Sequence, residues 1–270
     1  MHRIRHCRFQ RNYPISQLDI VQCRNLKMKK LVLKLVLWML VAIPTFVDGQ
    51  LYVGMGLQAG FDNMPNANIP IDRFNSRAFR YKPMNRFHWP FGEIYEASIR
   101  IDRALVSLNL NTRRQRATAK STSSNGIDQL DVRFSMQSLS LGAGYAAIDK
   151  DDFVLYLGGA VDAGYMRLMT RTGPESQIGR IPYNLYRRLP MLAASIFTKF
   201  VFRANRESIA VWSLSPYLHI PLRDFDFLPL DQLLNGGGSM PVLTTPLPAR
   251  PINVGVAFNI DIDLLGFLDN

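Results

Sequence analysis

From Gln50 onward, apolar residues recur at every second position in one stretch after another. A period of two sends alternate side chains to opposite faces of an extended strand. In the first stretch Leu51, Val53, Met55, Leu57, Ala59 and Phe61 alternate with Tyr52, Gly54, Gly56, Gln58 and Gly60. One face is apolar and the other small or polar, so such a strand is unstable until a sheet covers both its edges and something apolar meets its greasy side.

Eight stretches follow this rule. The second is Phe91 to Ile101; the third sets Val106, Leu108, Leu110 and Thr112 against Ser107, Asn109, Asn111 and Arg113. In the fourth, Leu130, Val132, Phe134 and Met136 share a parity that shifts by one beyond Ser138, where Leu139, Leu141, Ala143 and Tyr145 take over. A β-bulge at Gln137–Ser138 is expected to absorb the slip and hold both sets on one face. The fifth runs from Phe153 to Leu168, the sixth from Leu192 to Arg203, the seventh from Ser208 to Ile220 and the eighth from Ile252 to Asp263. Asp102-Arg103, Lys150-Asp151-Asp152 and Asn205-Arg206-Glu207 are short turns, whereas 62–90, 117–127, 169–188 and 222–249 are expected to be loops. Asn125-Gly126 in the second of these suits the positive φ angles of a hairpin.

The segment before Gln50 sets the compartment. Met28-Lys29-Lys30 opens a basic stretch, Leu31 to Val47 is apolar apart from Lys34, Pro44 and Thr45, and Val47-Asp48-Gly49 suits a signal peptidase. The charge-free part, Leu35 to Val47, is shorter than the roughly 20 residues of a membrane-spanning helix. Residues 28–49 are therefore expected to be a cleaved signal peptide, and residues 1–27 a mis-assigned N-terminal extension.

With that leader removed, the strong positive charge disappears. The whole chain has 32 Lys plus Arg and 21 Asp plus Glu, but 9 of the former and 2 of the latter precede Gln50, which leaves 23 against 19, a net +4. Nucleic acid is not an expected partner. Cys7 and Cys23 are both in the leader, so residues 50–270 have no thiolate metal site or disulfide framework, and they read as one domain.

The alternation of short turns and long loops between strands of about 10 residues is the asymmetry of outer-membrane barrels. On these features the chain resembles the eight-stranded outer-membrane β-barrel family, comprising the OmpA and OmpX membrane domains and the PorT-like barrels. The resemblance implies an all-β, closed, antiparallel eight-stranded transmembrane barrel in the cell outer membrane, preceded by a signal peptide. It also implies periplasmic termini and a lumen filled with side chains.

The polar face is rich in Gly, Ser, Asn and Gln, which fit a narrow interior better than a water-facing exterior. Its charges are expected to pair there, because a buried charge is tolerable only with a partner. The candidates are Glu96, Asp131, Asp162, Asp261 and Asp263 with Arg100, Arg133, Lys199 and Arg203. Arg113, Arg114, Arg116 and Lys120, near the second loop, are candidate contacts for lipopolysaccharide phosphates.

No metal or cofactor motif is found. His88 and His219 are the only histidines after the leader, the Asp residues lack calcium-loop spacing, and Gly236-Gly237-Gly238 lacks a phosphate-loop ending. The reading is a monomeric, non-enzymatic barrel that acts through external loops or periplasmic partners in envelope integrity, adhesion or secretion. Two alternatives stay open: an outer-leaflet lipid-modifying enzyme, with Ser213 or Ser215 beside His219, and a soluble ligand-binding barrel with its apolar face inward.

Overall fold

The computed structural model describes residues 49–76, 82–124, 126–204, 209–236, 241 and 243–264. The expected signal peptide, apart from Gly49, lies outside these residues, as do Asn125 and the turn at 205–207. The described chain runs β1 (Gly49–Asn63), α1 (Pro65–Asn75), β2 (Phe91–Ile101), β3 (Ala104–Ser123), β4 (Gly126–Asp149), β5 (Phe153–Pro174), β6 (Asn184–Phe202), β7 (Ala210–Pro221), β8 (Phe225–Asp226), α2 (Leu228–Asn235), β9 (Pro248–Ala249) and β10 (Ile252–Asp263). Eight strands pair antiparallel in a ring, in the order β1-β10-β7-β6-β5-β4-β3-β2, and β1 pairs with both β10 and β2. β8 and β9 form a two-residue ribbon within the last long connection.

Register follows from which side chains can share a face. Val53, Met55 and Leu57 lie opposite Ile262, Ile260 and Phe258 on the outer side, while Gly54 and Gly56 lie opposite Asp261 and Asn259 on the lumen side. A Cβ on Gly54 would collide with Asp261 Oδ1, and one on Gly56 with the Phe258 carbonyl. Glycine here leaves lumen volume for the polar side chains of β10.

The β2–β3 turn places Asp102 at φ +53°, and Gly126 at the start of β4 has φ +119°, a conformation that side-chain-bearing residues rarely adopt. The ladder between β6 and β7 lapses from Phe197↔Tyr217 to Phe200↔Leu214, where Pro216 has no donor to offer.

Two expectations are corrected by β3 and β4. Residues 117–124 are not loop: the hairpin continues to Ser123↔Gly126, so β3 and β4 reach well beyond their neighbours. No bulge interrupts β4 at Gln137–Ser138, because the pairing with β3 and β5 runs unbroken through it. The change of parity is a real change of face. Leu139 and Leu141 look outward, whereas Val132, Phe134 and Met136 turn inward and are buried.

Their inward turn has a packing cause. Segments expected to be bare loops carry α1 and α2, and these supply Ile71, Phe74, Leu230 and Leu234 to an apolar cluster with Phe87, Phe225, Phe227, Phe134, Val132 and Met166. Phe134 meets Phe225 edge-on at 5.2 Å and Phe227 at 5.5 Å between ring centroids. The helices are tied together by Arg73, which gives both carboxylate oxygens of the fully buried Asp231 a hydrogen bond at 2.9 Å, and by Asn235 Nδ2, which donates to the Pro70 carbonyl at 3.3 Å. The loop end of the ring is thus filled by an apolar cap. A smaller cluster of Tyr52, Leu105, Ala146, Val154, Tyr156, Val201 and Val211 fills the turn end.

Candidate functional site

Between the two apolar clusters the lumen is polar. Lys199, on β6, lies 2.5 Å from Glu96 Oε1 of β2 and 3.3 Å from Asp261 Oδ2 of β10. Asn259 Nδ2 donates to the other Glu96 oxygen at 3.1 Å, and the Ser213 hydroxyl donates to Asp261 at 3.2 Å. All five side chains are buried. Five elements of polarity from four strands therefore satisfy one another across the ring.

One level nearer the loops, Asp162 of β5 accepts from the Ser140 hydroxyl and from Ser195 Oγ at 2.6 Å, and His219 Nδ1 stands 3.3 Å from the same carboxylate. Ser195 Oγ and His219 Nδ1 are 3.1 Å apart. The alternative pairing of His219 with Ser213 or Ser215 is not formed: the contacts of His219 Nδ1 are Ser195 and Asp162, and Ser213 is engaged with Asp261. Nor does the Asp162–Ser195–His219 group have the relay of a hydrolase: serine and carboxylate compete for one ring nitrogen, and His219 is 0% exposed.

A third level joins Arg113 to Gln58 through Nε–H···Oε1 at 3.0 Å, with the guanidinium 4.8 Å from the Tyr217 ring centroid. Asp62 accepts from Gln115 and, at 2.7 Å, from Asn253. Glu96, Lys199, Asp162, Arg113 and Tyr217 line a cavity of about 70 Å³, large and polar enough to hold ordered water.

Of the nine residues expected in a lumen network, the structure brings Glu96, Lys199 and Asp261 into one cluster and puts Asp162 in a second. Arg100 and Arg203 sit at the turn end: Arg100 pairs with Asp149 at 2.5 Å, and Arg203 donates to the Tyr52 hydroxyl at 2.9 Å. Asp263 is at the same end, its backbone N–H bonded to the Ile209 carbonyl. Asp131 and Arg133 are corrected to the outer face, as the unbroken β4 parity requires. There Asp131 accepts from Arg116 at 2.7 Å and Arg171 at 2.8 Å, and Arg133 lies over the Tyr183 ring at 3.8 Å.

Of the four candidate phosphate contacts, Arg113 is corrected to the lumen, because its position shares a face with Asn109 and Asn111. Arg114 is 3.7 Å from Glu93, Arg116 is paired with Asp131 and Lys120 with Glu175. In the first loop, Asp72 holds the Arg86 guanidinium above its ordinary pKa through two hydrogen bonds, at 2.9 and 3.0 Å. Among the described residues no three His, Cys, Asp or Glu groups are arranged to hold a metal ion.

Sequence reasoning missed the outward Arg167 and placed its cross-strand partner Arg188 in the third loop, among the arginines that could meet lipopolysaccharide phosphates, whereas Arg188 stands on β6. Parity with Val161 and Leu192 was the signal that could have found them.

The fold is a ring of eight antiparallel strands. No protein-family profile matches the sequence, and no curated protein matches it. Solved structures do. Ail, the attachment invasion locus protein of Yersinia pestis, crystallised with the heparin analogue sucrose octasulfate, is 8% identical over 80% of this chain and 99% of its own, with a TM-score of 0.41. Neisserial surface protein A is 9% identical over 79% and 97%, at 0.43, and the outer membrane protease OmpT of Escherichia coli is 8% identical over 80% and 96%, at 0.33. At these scores the likeness carries no functional argument.

Proposed function

We propose that this chain is an integral outer-membrane β-barrel that works without catalysis, as a rigid scaffold presenting its loops and its turn end to envelope partners. One observation carries the reading: the apolar residues at alternate positions lie on the outside. Leu57 is 68% exposed, Trp212 63%, Ile196 63% and Val161 58%, while the charges of Glu96, Lys199 and Asp261 are inside. A soluble barrel has the reverse arrangement, and an exposed apolar surface running round the whole ring far exceeds the few hundred Å² that soluble monomers tolerate.

The height of this surface fits a bilayer. On β5 the outward positions Leu155, Leu157, Gly159, Val161, Ala163 and Tyr165 are free of charge. Ten steps of about 3.3 Å, foreshortened by a tilt of about 40°, give about 25 Å, the height of the apolar band of outer-membrane barrels. In such a band each backbone group must be bonded within the protein, which a ring of paired strands provides.

Among the described residues the lumen is packed with polar side chains around one cavity of about 70 Å³ and the loop end is capped, which favours the scaffold reading over transport. Residues 28–49 serve as the export signal in this reading, and outer-leaflet lipopolysaccharide is the immediate neighbour of the loops. Membrane fractionation and gel mobility before and after boiling test it. A folded barrel in the membrane fraction that migrates differently once boiled is expected; a periplasmic protein with unchanged mobility would refute it.

A further inference from the structure

We infer that Arg167 and Arg188 form a binding site for the phosphate group of an outer-leaflet glycolipid, on the outer face of the ring just above its apolar band. This rests on the outer-membrane reading and names a ligand for that surface.

The two residues are direct cross-strand partners. Arg167 has the outward parity of Val161, and Arg188 that of Leu192 and Ile196. Like charges directly opposite one another on a sheet destabilise it. Arg116 and Arg171 on the same outer face share Asp131, but among the described residues neither Arg167 nor Arg188 has a carboxylate within salt-bridge distance. Their Nε atoms are buried and meet no acceptor in the protein. The charge therefore asks for an anion from outside the chain.

Position selects which anion. Arg167 is one outward step beyond Tyr165, where the uncharged surface of β5 ends. That is the depth of headgroups, the only place where a phosphate is fixed beside a membrane protein by the lipid that carries it. The guanidinium of Arg188 is already oriented, its carbon 3.5 Å from the Tyr165 ring centroid, so little side-chain freedom is lost when it binds. Two guanidiniums facing each other offer paired N–H donors to one phosphate, a geometry that lysine cannot reproduce.

The test uses the full-length folded protein in detergent micelles, with bound lipid counted by native mass spectrometry. The probes are diphosphoryl lipid A, the same lipid with its phosphates removed, and inorganic phosphate as competitor. The wild type is expected to retain the phosphorylated lipid at least about tenfold better than the dephosphorylated one. R167Q/R188Q should lose that preference, R114Q/R116Q should keep it, and inorganic phosphate at equal concentration should not compete. R167K/R188K, which keeps the charge but not the fork, should fall between wild type and R167Q/R188Q, and it carries the test if the glutamine variant does not fold. The inference is overturned if the wild type shows no preference, if R167Q/R188Q keeps it, if the lysine variant matches wild type, or if free phosphate competes equally. Boiled and unboiled mobility of the same samples separates the two levels: a normal heat shift without lipid preference sinks the site alone, whereas loss of the heat shift in the wild type sinks the barrel reading.

Discussion

Replacing Lys199 with Met removes the one cation between Glu96 and Asp261 while keeping the length of the side chain. At 2.5 and 3.3 Å the two attractions are each worth about 5 to 7 kcal/mol with an effective dielectric of about 20. Most of that is offset by the several kcal/mol needed to dehydrate each ion, and by the repulsion of the two carboxylates. What K199M exposes is the uncompensated remainder: two buried acids held together by Asn259 and Ser213 without a counter-charge, for a loss of about 3 to 5 kcal/mol. Equilibrium urea unfolding in detergent micelles, followed by tryptophan fluorescence and by the fraction that keeps its unboiled gel mobility, measures this. The triple variant E96Q/K199M/D261N, which deletes every charge of the cluster, is expected to recover most of the loss, because a neutral hydrogen-bonded core is often no less stable than a buried ion network. If K199M costs under about 1 kcal/mol, or if the triple variant is no better than K199M, the lumen charges are not buried and coupled as described.

G54A should destabilise the barrel by about 1 to 3 kcal/mol in the same assay, since its methyl group meets Asp261 where β1 and β10 close the ring; wild-type stability would show that this seam has room to spare. F134A removes the hub of the aromatic cap and should cost about 3 to 5 kcal/mol, read as protease cleavage of 62–90 and 222–249 in a barrel that still resists detergent. R73A leaves Asp231 buried with one strong donor fewer and should accelerate cleavage of the 222–249 segment specifically, by about tenfold if the loss is about 1.4 kcal/mol.

The eight strands were legible because their outward side is so consistently apolar: Val254, Val256, Phe258, Ile260 and Ile262 on β10 permit no other register. Glu96, Lys199, Asp162 and Asp261 were legible for the same reason, being charges on the opposite parity. The cap was not. Phe134, Val132 and Met136 are as apolar as the outward residues, and alternation cannot distinguish a strand that faces lipid from one that faces a buried helix. The parity slip in β4 recorded that difference, but a bulge explained it equally well. Arg113 was misplaced because its neighbours Arg114 and Arg116 suggested one basic surface, whereas on a strand adjacent charges point to opposite sides. In α2 the clue was present, with Leu230, Leu233 and Leu234 at helical spacing inside a proline-rich loop.

The apolar cap also constrains the order of assembly. Its aromatic residues come from segments as far apart as Phe87 and Phe227, and in the outer-membrane reading those segments must cross the bilayer before the whole cluster can form. Phe225 and Phe227 meet within one connection at 4.8 Å between ring centroids, but Phe87 and Phe134 join them only once β4 is in place, so the complete cluster cannot nucleate the cylinder. On that reading it is the last piece to lock, and a protected outer end would be a signature of molecules that have finished inserting.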